Sequence, residues 1–278
     1  DDVISAAFLS GEEAQTLSES EYSISHMKDT VWGIQFNVSS GPFANAQIRK
    51  AVSLCFDRSI YAQKLPSYLY STNTMIPEDA MIFGQSYEPL VLNDTIDSAA
   101  AYTAYQKGLQ ELAKDGISGA KLLVCESHEV DIASYFSDIS QILQRDLSLF
   151  LSIETLPETE YNEKLKSGNY DLAVVCLTSG DNNVTSYLSY YSSTSSSNTS
   201  GYQNTAFDVL LSEANQADQS SEALSLCQQA EKMLLSDHVF LPMVWQSKTF
   251  VTKRETSGIV YLKQTGVVHF MKTSTAES

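Results

Sequence analysis

Residues 121–176 constrain the fold most, because short apolar runs alternate there with segments of helical period. The apolar residues between 132 and 143 recur every three or four positions, and a shorter helical segment follows at 158–165. Three segments have the length and near-continuous apolar character of buried strands: 121–125, 150–154 and 170–176. Apolar strands separated by helices predict a largely parallel sheet covered on both faces, which is an α/β lobe.

Patterns on either side of this segment predict further elements. Ser10 and Glu13 have the spacing of a capping box for a short helix that ends near Ser20. Apolar alternation predicts a strand at 31–38, and the chain after residue 240 favours strands. Helical periodicity predicts helices at 45–57, 99–116, 205–215 and 220–235.

Two segments lack such periodicity. Residues 66–97 contain the breakers Pro77, Gly84 and Pro89, and an irregular excursion of this length is either functional or mobile. Residues 192–200 are rich in Ser and Thr and predict a polar loop.

Net charge argues against nucleic acid as a partner. The chain of 278 residues has 17 Lys and Arg against 34 Asp and Glu, a formal charge of −17, which repels phosphate backbones and anionic lipid surfaces.

No uninterrupted apolar run approaches the roughly 20 residues that span a bilayer. The first residues also lack the basic start of a signal peptide. We therefore expect an internal piece of a longer protein.

The cysteines and histidines do not form a recognisable metal motif. Four cysteines lie far apart among apolar neighbours, without a CxxC pair: Cys55, Cys125, Cys176 and Cys227. We expect buried free thiols, with a disulfide or a metal site as the alternative. His26, His238 and His269 are scattered singly, so the sequence predicts no metal and no cofactor.

Three stretches, taken in chain order, resemble one family of binding proteins. The first is GIQFN at 33–37, GPF at 41–43, NAQIRKAV at 45–52 and FDR at 56–58. The second is KSGNYDL at 166–172 followed by YQNTAFD at 202–208, and the third is AE at 230–231 leading to LPM at 241–243. Together they resemble the family that includes the oligopeptide-, dipeptide- and nickel-binding proteins of ABC importers, over almost the whole chain.

This resemblance implies a two-lobed α/β protein of the type II periplasmic-binding-protein class, with solute bound between the lobes. On this resemblance, we expect the chain to be the later half of such a protein. Residues 29–245 would form the second α/β lobe, while 1–28 and 246–278 would be hinge or return strands of the first lobe. The missing part would carry the signal sequence, a lipid anchor and the other wall of the cleft, as in a periplasmic or cell-surface monomer.

The loop after the strand at 170–176 is the first candidate binding site, because ligands gather at the carboxyl ends of strands in α/β sheets. Its candidate ligand-binding residues are Leu177, Thr178, Ser179, Gly180, Asp181 and Asn182. In peptide-binding relatives an aromatic residue and an aspartate occupy this loop, and the aspartate meets the peptide's amino terminus. Here those positions fall on Leu177 and Gly180, with Asp181 one residue late. Asp181 is therefore either a ligand contact or part of the cap of a helix that begins near Val184.

The loop after the strand at 121–125 is the second candidate, with Ser127 and His128 as possible contacts. The alternative for His128 is an exposed position at the start of the following helix. The run Tyr187, Tyr190 and Tyr191 allows stacking on a ligand or packing within a helix. We assign Arg49, Asp57 and Arg58 to the fold.

The resemblance implies a non-catalytic binding protein that delivers peptides or similar small solutes to ABC permease subunits. A surface sensor or adhesion module on the same fold is the alternative. A hydrolase is more remote, because the sequence contains no nucleophile elbow, HExxH or phosphate-binding glycine loop.

Overall fold

A computed structural model describes residues 5–66, 68–92, 95–127, 133–262 and 267–275. Its strands are β1 (Ala6–Leu9), β2 (Tyr22–Phe36), β3 (Leu69–Ser71), β4 (Met81–Ile82), β5 (Gln85–Ser86), β6 (Ala120–Cys125), β7 (Leu151–Leu156), β8 (Leu172–Thr178), β9 (Phe240–Lys253), β10 (Thr256–Leu262) and β11 (Val267–Thr275). Its α-helices are α1 (Gly11–Ala14), α2 (Ala46–Leu54), α3 (Ser59–Ala62), α4 (Ser98–Glu111), α5 (Ala133–Leu147), α6 (Glu158–Ser167), α7 (Val184–Ser189), α8 (Thr205–Gln216) and α9 (Ser220–Ser236). A 3₁₀ turn lies at Pro42–Ala44.

The main sheet has seven strands in the order β1-β9-β2-β8-β6-β7, with β3 also paired to β9. In this sheet, β6 pairs in parallel with β7 and with β8, whereas β2 and β9 pair antiparallel to each other and to their other neighbours. The α/β class is confirmed, but the expectation of a largely parallel sheet was wrong. The strand–helix alternation covers only residues 120–178, whereas β2 and β9 come from distant parts of the chain and are not joined by a crossover helix.

The main differences from the predicted elements lie near the N-terminus and in α4. The capping box of Ser10 and Glu13 is present, but the helix it opens ends at Ala14. Strand β2 begins at Tyr22, well before the predicted residue 31. The sequence pattern did not indicate its first half because those residues are only partly buried and alternate weakly. In α4, Tyr102 lies at helical spacing from buried Tyr105 and Leu109, yet it is 52% exposed.

Close packing of β2 on β9 requires a glycine at residue 33. A Cβ atom there would lie 2.3 Å from the carbonyl oxygen of Leu241 and 2.5 Å from the ring of Phe240. The register between the strands shifts at this point, since Trp32 pairs with Val244 and Gly33 with Pro242. The glycine thus lets two backbones approach at a bulge in the middle of the sheet.

The arginines of the first motif hold the fold together through backbone carbonyls. Buried Arg49 donates to the carbonyl of Asp237 at the end of α9 from Nε and Nη2, and to Phe43 and Ala44 from Nη1. Arg58 donates to the carbonyl of Pro242 in β9. A planar guanidinium suits such multiple contacts better than an ammonium. Their assignment to the fold is confirmed.

The irregular excursion at 66–97 is fixed to the helical layer by one buried carboxylate. Glu231 on α9 is fully buried, and its Oε2 accepts hydrogen bonds from the Tyr87 hydroxyl (2.7 Å) and the Leu90 N–H (3.0 Å). Burial raises the pKa of Glu231 from 4.5 to about 7, although both hydrogen bonds oppose this change. Tyr87 is buried as well, so the excursion packs as part of the core.

Replacing Glu231 by Gln is expected to change how stability depends on pH. The folded state holds a proton on Glu231 more tightly than the unfolded state. The contribution of Glu231 to the free energy of unfolding is therefore greatest below pH 4.5 and is lost as the pH rises to about 7. Between these values, wild-type stability should fall relative to Glu231→Gln by roughly 3 kcal/mol. Urea denaturation at a series of pH values measures this. The exposed Glu222→Gln on the same helix is the control, and parallel profiles for wild type and Glu231→Gln would contradict the account.

Candidate functional site

A groove of about 590 Å³ lies where β2 extends beyond the end of β8 and continues beside β9 alone. Strands β2, β8 and β9 contribute most of its lining, and β1, α1 and the turn after β6 complete it. The lining residues are Phe8, Leu9, Ser10, Glu13, Asp29, Thr30, Trp32, Ser127, Cys176, Thr178, Gln246, Ser247 and Lys248. The groove therefore joins residues from both ends of the chain.

A bulge in β2 places Asp29 at this groove. Lys28 pairs with Ser247 and Thr30 pairs with Gln246, so Asp29 is an extra residue without a Cα partner on β9. Its backbone carbonyl accepts hydrogen bonds from the Ser179 N–H (3.3 Å) and the Tyr187 hydroxyl (2.9 Å). Bulges of this kind redirect a side chain while the strand continues.

Polar pairs across the three strands order the floor of the groove. The Trp32 indole N–H donates to Oε1 of Gln246 at 2.7 Å. The Thr30 hydroxyl lies 3.1 Å from both Oδ1 of Asp29 and the Thr178 hydroxyl. These contacts fix side chains from β2, β8 and β9 relative to one another, which makes the floor preorganised.

The groove contains charges of both signs. Burial of Asp29 raises its carboxyl pKa, while the Thr30 hydroxyl and the positive charge of Lys248 oppose the rise. The ammonium of Lys248 lies 4.3 Å from the centroid of the Phe8 ring, a cation–π contact. The groove is thus suited to a small solute with both polar and apolar parts.

The structure separates the predicted residues of the 177–182 loop. Thr178 lines the groove, whereas Leu177 and Ser179 are buried and Gly180 is exposed. Asn182 is fully buried with a φ of 51°, and its amide donates to the carbonyl of Asp79. The structure describes all six candidate residues of this loop, and of these Thr178 lines the groove.

Asp181 is occupied by its own loop. Its Oδ1 accepts from the Ser179 hydroxyl and the Asn183 N–H, and its Oδ2 from the Ser186 hydroxyl. Partial burial alone would raise the pKa of Asp181, but these hydrogen bonds outweigh it and hold the pKa below its usual value. Asn183 caps α7 through the Thr185 N–H. This geometry favours the capping alternative for Asp181.

The other candidates divide between the groove and the core. Ser127 lines the groove, and its hydroxyl lies 3.2 Å from Sγ of Cys125. His128 lies outside the described residues. Tyr187 in α7 and Tyr191 just beyond it are buried, so packing in the core accounts for both side chains.

Sequence reasoning missed the residues that β2 and β9 contribute to the groove, above all Asp29, Trp32, Gln246 and Lys248. The strand prediction began at residue 31, so Asp29 fell outside it. Aspartate is disfavoured inside strands, so an aspartate next to a predicted strand was the available signal for an irregular position such as this bulge. Lys248 and Gln246 approach only through the pairing of β9 with β2.

The remaining chemistry in the described part of the chain is sparse. All four cysteines are free: Cys55, Cys125 and Cys227 are buried, and Cys176 is half-buried at the groove. No cluster of three or more His, Cys, Asp and Glu side chains within the described ranges is placed to hold a metal ion. None of the helices in these ranges has both the length and the apolar character to cross a membrane.

The described chain is thus a mixed α/β fold with a groove where β6 and β8 end beside β2 and β9. The family model of bacterial extracellular solute-binding proteins, family 5 Middle, matches residues 2–199. The chain belongs to this family.

Individual relatives are distant and longer. The chain is 24% identical over 227 residues to the periplasmic oligopeptide-binding protein OppA of Haemophilus influenzae, covering 76% of this chain and 39% of that protein. It is 22% identical over 226 residues to the probable deoxycholate-binding periplasmic protein YgiS of Escherichia coli, with the same coverage of 76% and 39%. The structure of Listeria monocytogenes OppA bound to peptide superposes with a TM-score of 0.71 at 20% identity, covering 99% of this chain and 54% of that one. The chain thus spans about two fifths of the length of these curated relatives.

Replacing Asp181 by Asn is expected to lower stability. The carboxylate accepts three hydrogen bonds, and the amide cannot accept as many, so the loss should be about 1 kcal/mol at pH 7. Because the pKa of Asp181 is lowered in the fold, this contribution is present above about pH 4 and is lost as the pH falls further. Urea denaturation at pH 7 and pH 3 measures it, with the exposed Asp218→Asn as the control. Equal stability of wild type and Asp181→Asn at pH 7 would contradict the capping role.

Proposed function

We propose that this chain is the second half of the solute-binding component of an ABC importer. It binds peptides or similar small solutes between two lobes and delivers them to the permease subunits, without catalysis. The observation that carries this proposal is the groove at the strand ends, which combines an apolar wall, polar pairs and charges of both signs. Membership of the solute-binding family supports the same role.

The proposed lobe division follows the two long strands. Residues 29–245 form the second lobe, and 1–28 and 246–278 return to the first lobe. The bulge at Asp29 lies at one boundary, and Gln246, opposite Thr30, lies at the other. Beyond this point, β10 and β11 pair with each other and expose apolar side chains: Val260, Leu262, Val267, Phe270 and Met271. These residues would be covered by the first lobe, since apolar surface of this kind favours burial.

Two lobes explain why the groove is open. One wall of a cleft buries only part of a ligand, whereas closure of a second wall would remove most of its surface from water. We propose that closure over the solute presents the surface that the permease recognises. We also propose a periplasmic or extracellular monomer, attached to the membrane by a lipid anchor outside this chain.

The test is a binding screen of the complete protein, carrying both lobes, against di- to hexapeptides, deoxycholate, oligosaccharides and nickel. Ligand at about a hundred times its dissociation constant stabilises a protein by roughly 2.7 kcal/mol, so a bound solute raises the melting temperature. We expect peptides to raise it and isothermal titration to confirm one site. A folded protein that no peptide stabilises, while another solute does, would contradict the peptide assignment.

A further inference from the structure

We propose that a second groove, at the end of α9, binds a small carboxylic acid with an aliphatic chain. This α2–α9 groove has a volume of about 500 Å³ and lies between α2, the end of α9 and residues 90–92 of the irregular excursion. Within the described ranges it shares no lining residue with the groove formed by β2, β8 and β9. The inference goes beyond the proposed function, because its ligand is a different molecule from the solute of the first groove.

Two lysines give the α2–α9 groove its charge. Lys50 on α2 and Lys232 on α9 both line it, and both are exposed. Among the ion pairs of the described residues, none includes either lysine, and no Asp or Glu of the described chain lines this groove. In a chain with a formal charge of −17, the groove is therefore a local positive site that can pair with an anionic group.

The turn after α9 adds an imidazole to the same wall. His238 lines the groove directly after the capping residue Asp237, at a left-handed φ of 49°. The carboxylate of Asp237 is engaged elsewhere, since its Oδ2 accepts from the Tyr202 hydroxyl at 2.7 Å. The turn thus brings to the groove a side chain that can donate a hydrogen bond to a carboxylate.

The end of α9 does not repel an anion as a bare helix end would. The last carbonyls of a helix normally lack partners and carry the negative end of its dipole. Here the carbonyls of Leu234 and Leu235 accept from the N–H groups of the two residues after the cap. The Asp237 carbonyl accepts twice from the buried guanidinium of Arg49. These contacts offset the negative potential at this end of the groove.

The walls of the α2–α9 groove are fixed relative to one another. The Arg49 contact joins α2 to the end of α9, and so positions Lys50, the next residue along α2. On the third side, the Leu90 N–H donates to Glu231 of α9 at 3.0 Å, and the Leu92 N–H donates to a backbone carbonyl at 2.9 Å. Walls held in this way cost little ordering when a ligand binds, which favours affinity.

Aliphatic side chains form the rest of the lining, and they define the second half of the ligand: Leu90, Val91, Leu92 and Leu235. Val91 is 44% exposed, so part of this apolar surface is open to solvent. No Phe, Tyr or Trp of the described chain lines the groove, which suits a flexible hydrocarbon chain better than a flat ring. The volume is that of a small-molecule site. The net charge of −17 disfavours polyanions, so we expect a ligand with a single carboxylate.

The experiment titrates the complete protein with sodium octanoate by isothermal calorimetry. The comparison ligands are 1-octanol, which keeps the chain without the carboxylate, and butanoate, which keeps the carboxylate on a shorter chain. We expect octanoate to saturate one site, and each comparison ligand to bind at least about tenfold more weakly.

Lysine variants locate the site. Lys50→Gln and Lys232→Gln should each weaken octanoate binding about 3- to 10-fold, because each removes one positive charge from the groove. Lys114→Gln, an exposed lysine outside the groove, makes the same change in net charge and should leave the affinity unchanged. Because all three side chains are exposed, we expect the variants to fold, and urea denaturation checks this.

The inference is overturned if octanoate does not bind to the folded wild type, binds without saturation, or binds no better than 1-octanol. It is also overturned if Lys50→Gln and Lys232→Gln keep the wild-type affinity while Lys248→Gln loses it, since octanoate would then lie in the groove formed by β2, β8 and β9. None of these results bears on peptide binding in that first groove. A protein that binds no peptide, but whose octanoate affinity falls in both groove variants, would retain this inference and lose the proposed function.

Discussion

The antiparallel pairing of β2 with β9 is the contact on which the rest of this structure depends. It runs from Tyr22 opposite Lys253 to Gln35 opposite Phe240, and so joins segments far apart in the sequence. Strand β8 attaches to β2 and brings the parallel unit of β6 and β7 with it. Because these contacts are long-range, the loop entropy they remove must be offset by the apolar area that they bury.

Two irregularities in this pairing determine the local chemistry. At Gly33 the missing Cβ allows close packing against the Phe240 ring and the Leu241 carbonyl. At Asp29 the additional residue lines the groove. Both irregularities interrupt the pairing of β2 with β9. The one at Gly33 allows close packing in the core, and the one at Asp29 contributes a residue to the groove.

Sequence patterns predicted the elements well where they depend on local periodicity, as in β6, α5, α6 and α9. They failed where pairing decides the outcome. The first half of β2 is a strand because β9 lies beside it, and its own alternation is weak. The candidate site shows the same division: Thr178 and Ser127 were found from the ends of β8 and β6, while Asp29, Trp32 and Lys248 required the register of β2 on β9.

A crystal structure of the complete protein with its bound solute tests the central claim, that the groove formed by β2, β8 and β9 is one wall of the binding cleft. The account predicts ligand atoms in contact with Trp32, Thr178 and Ser127, and the first lobe closing from the opposite side. A solute bound elsewhere, for example in the separate groove formed by Leu90, Lys232 and His238, would contradict it.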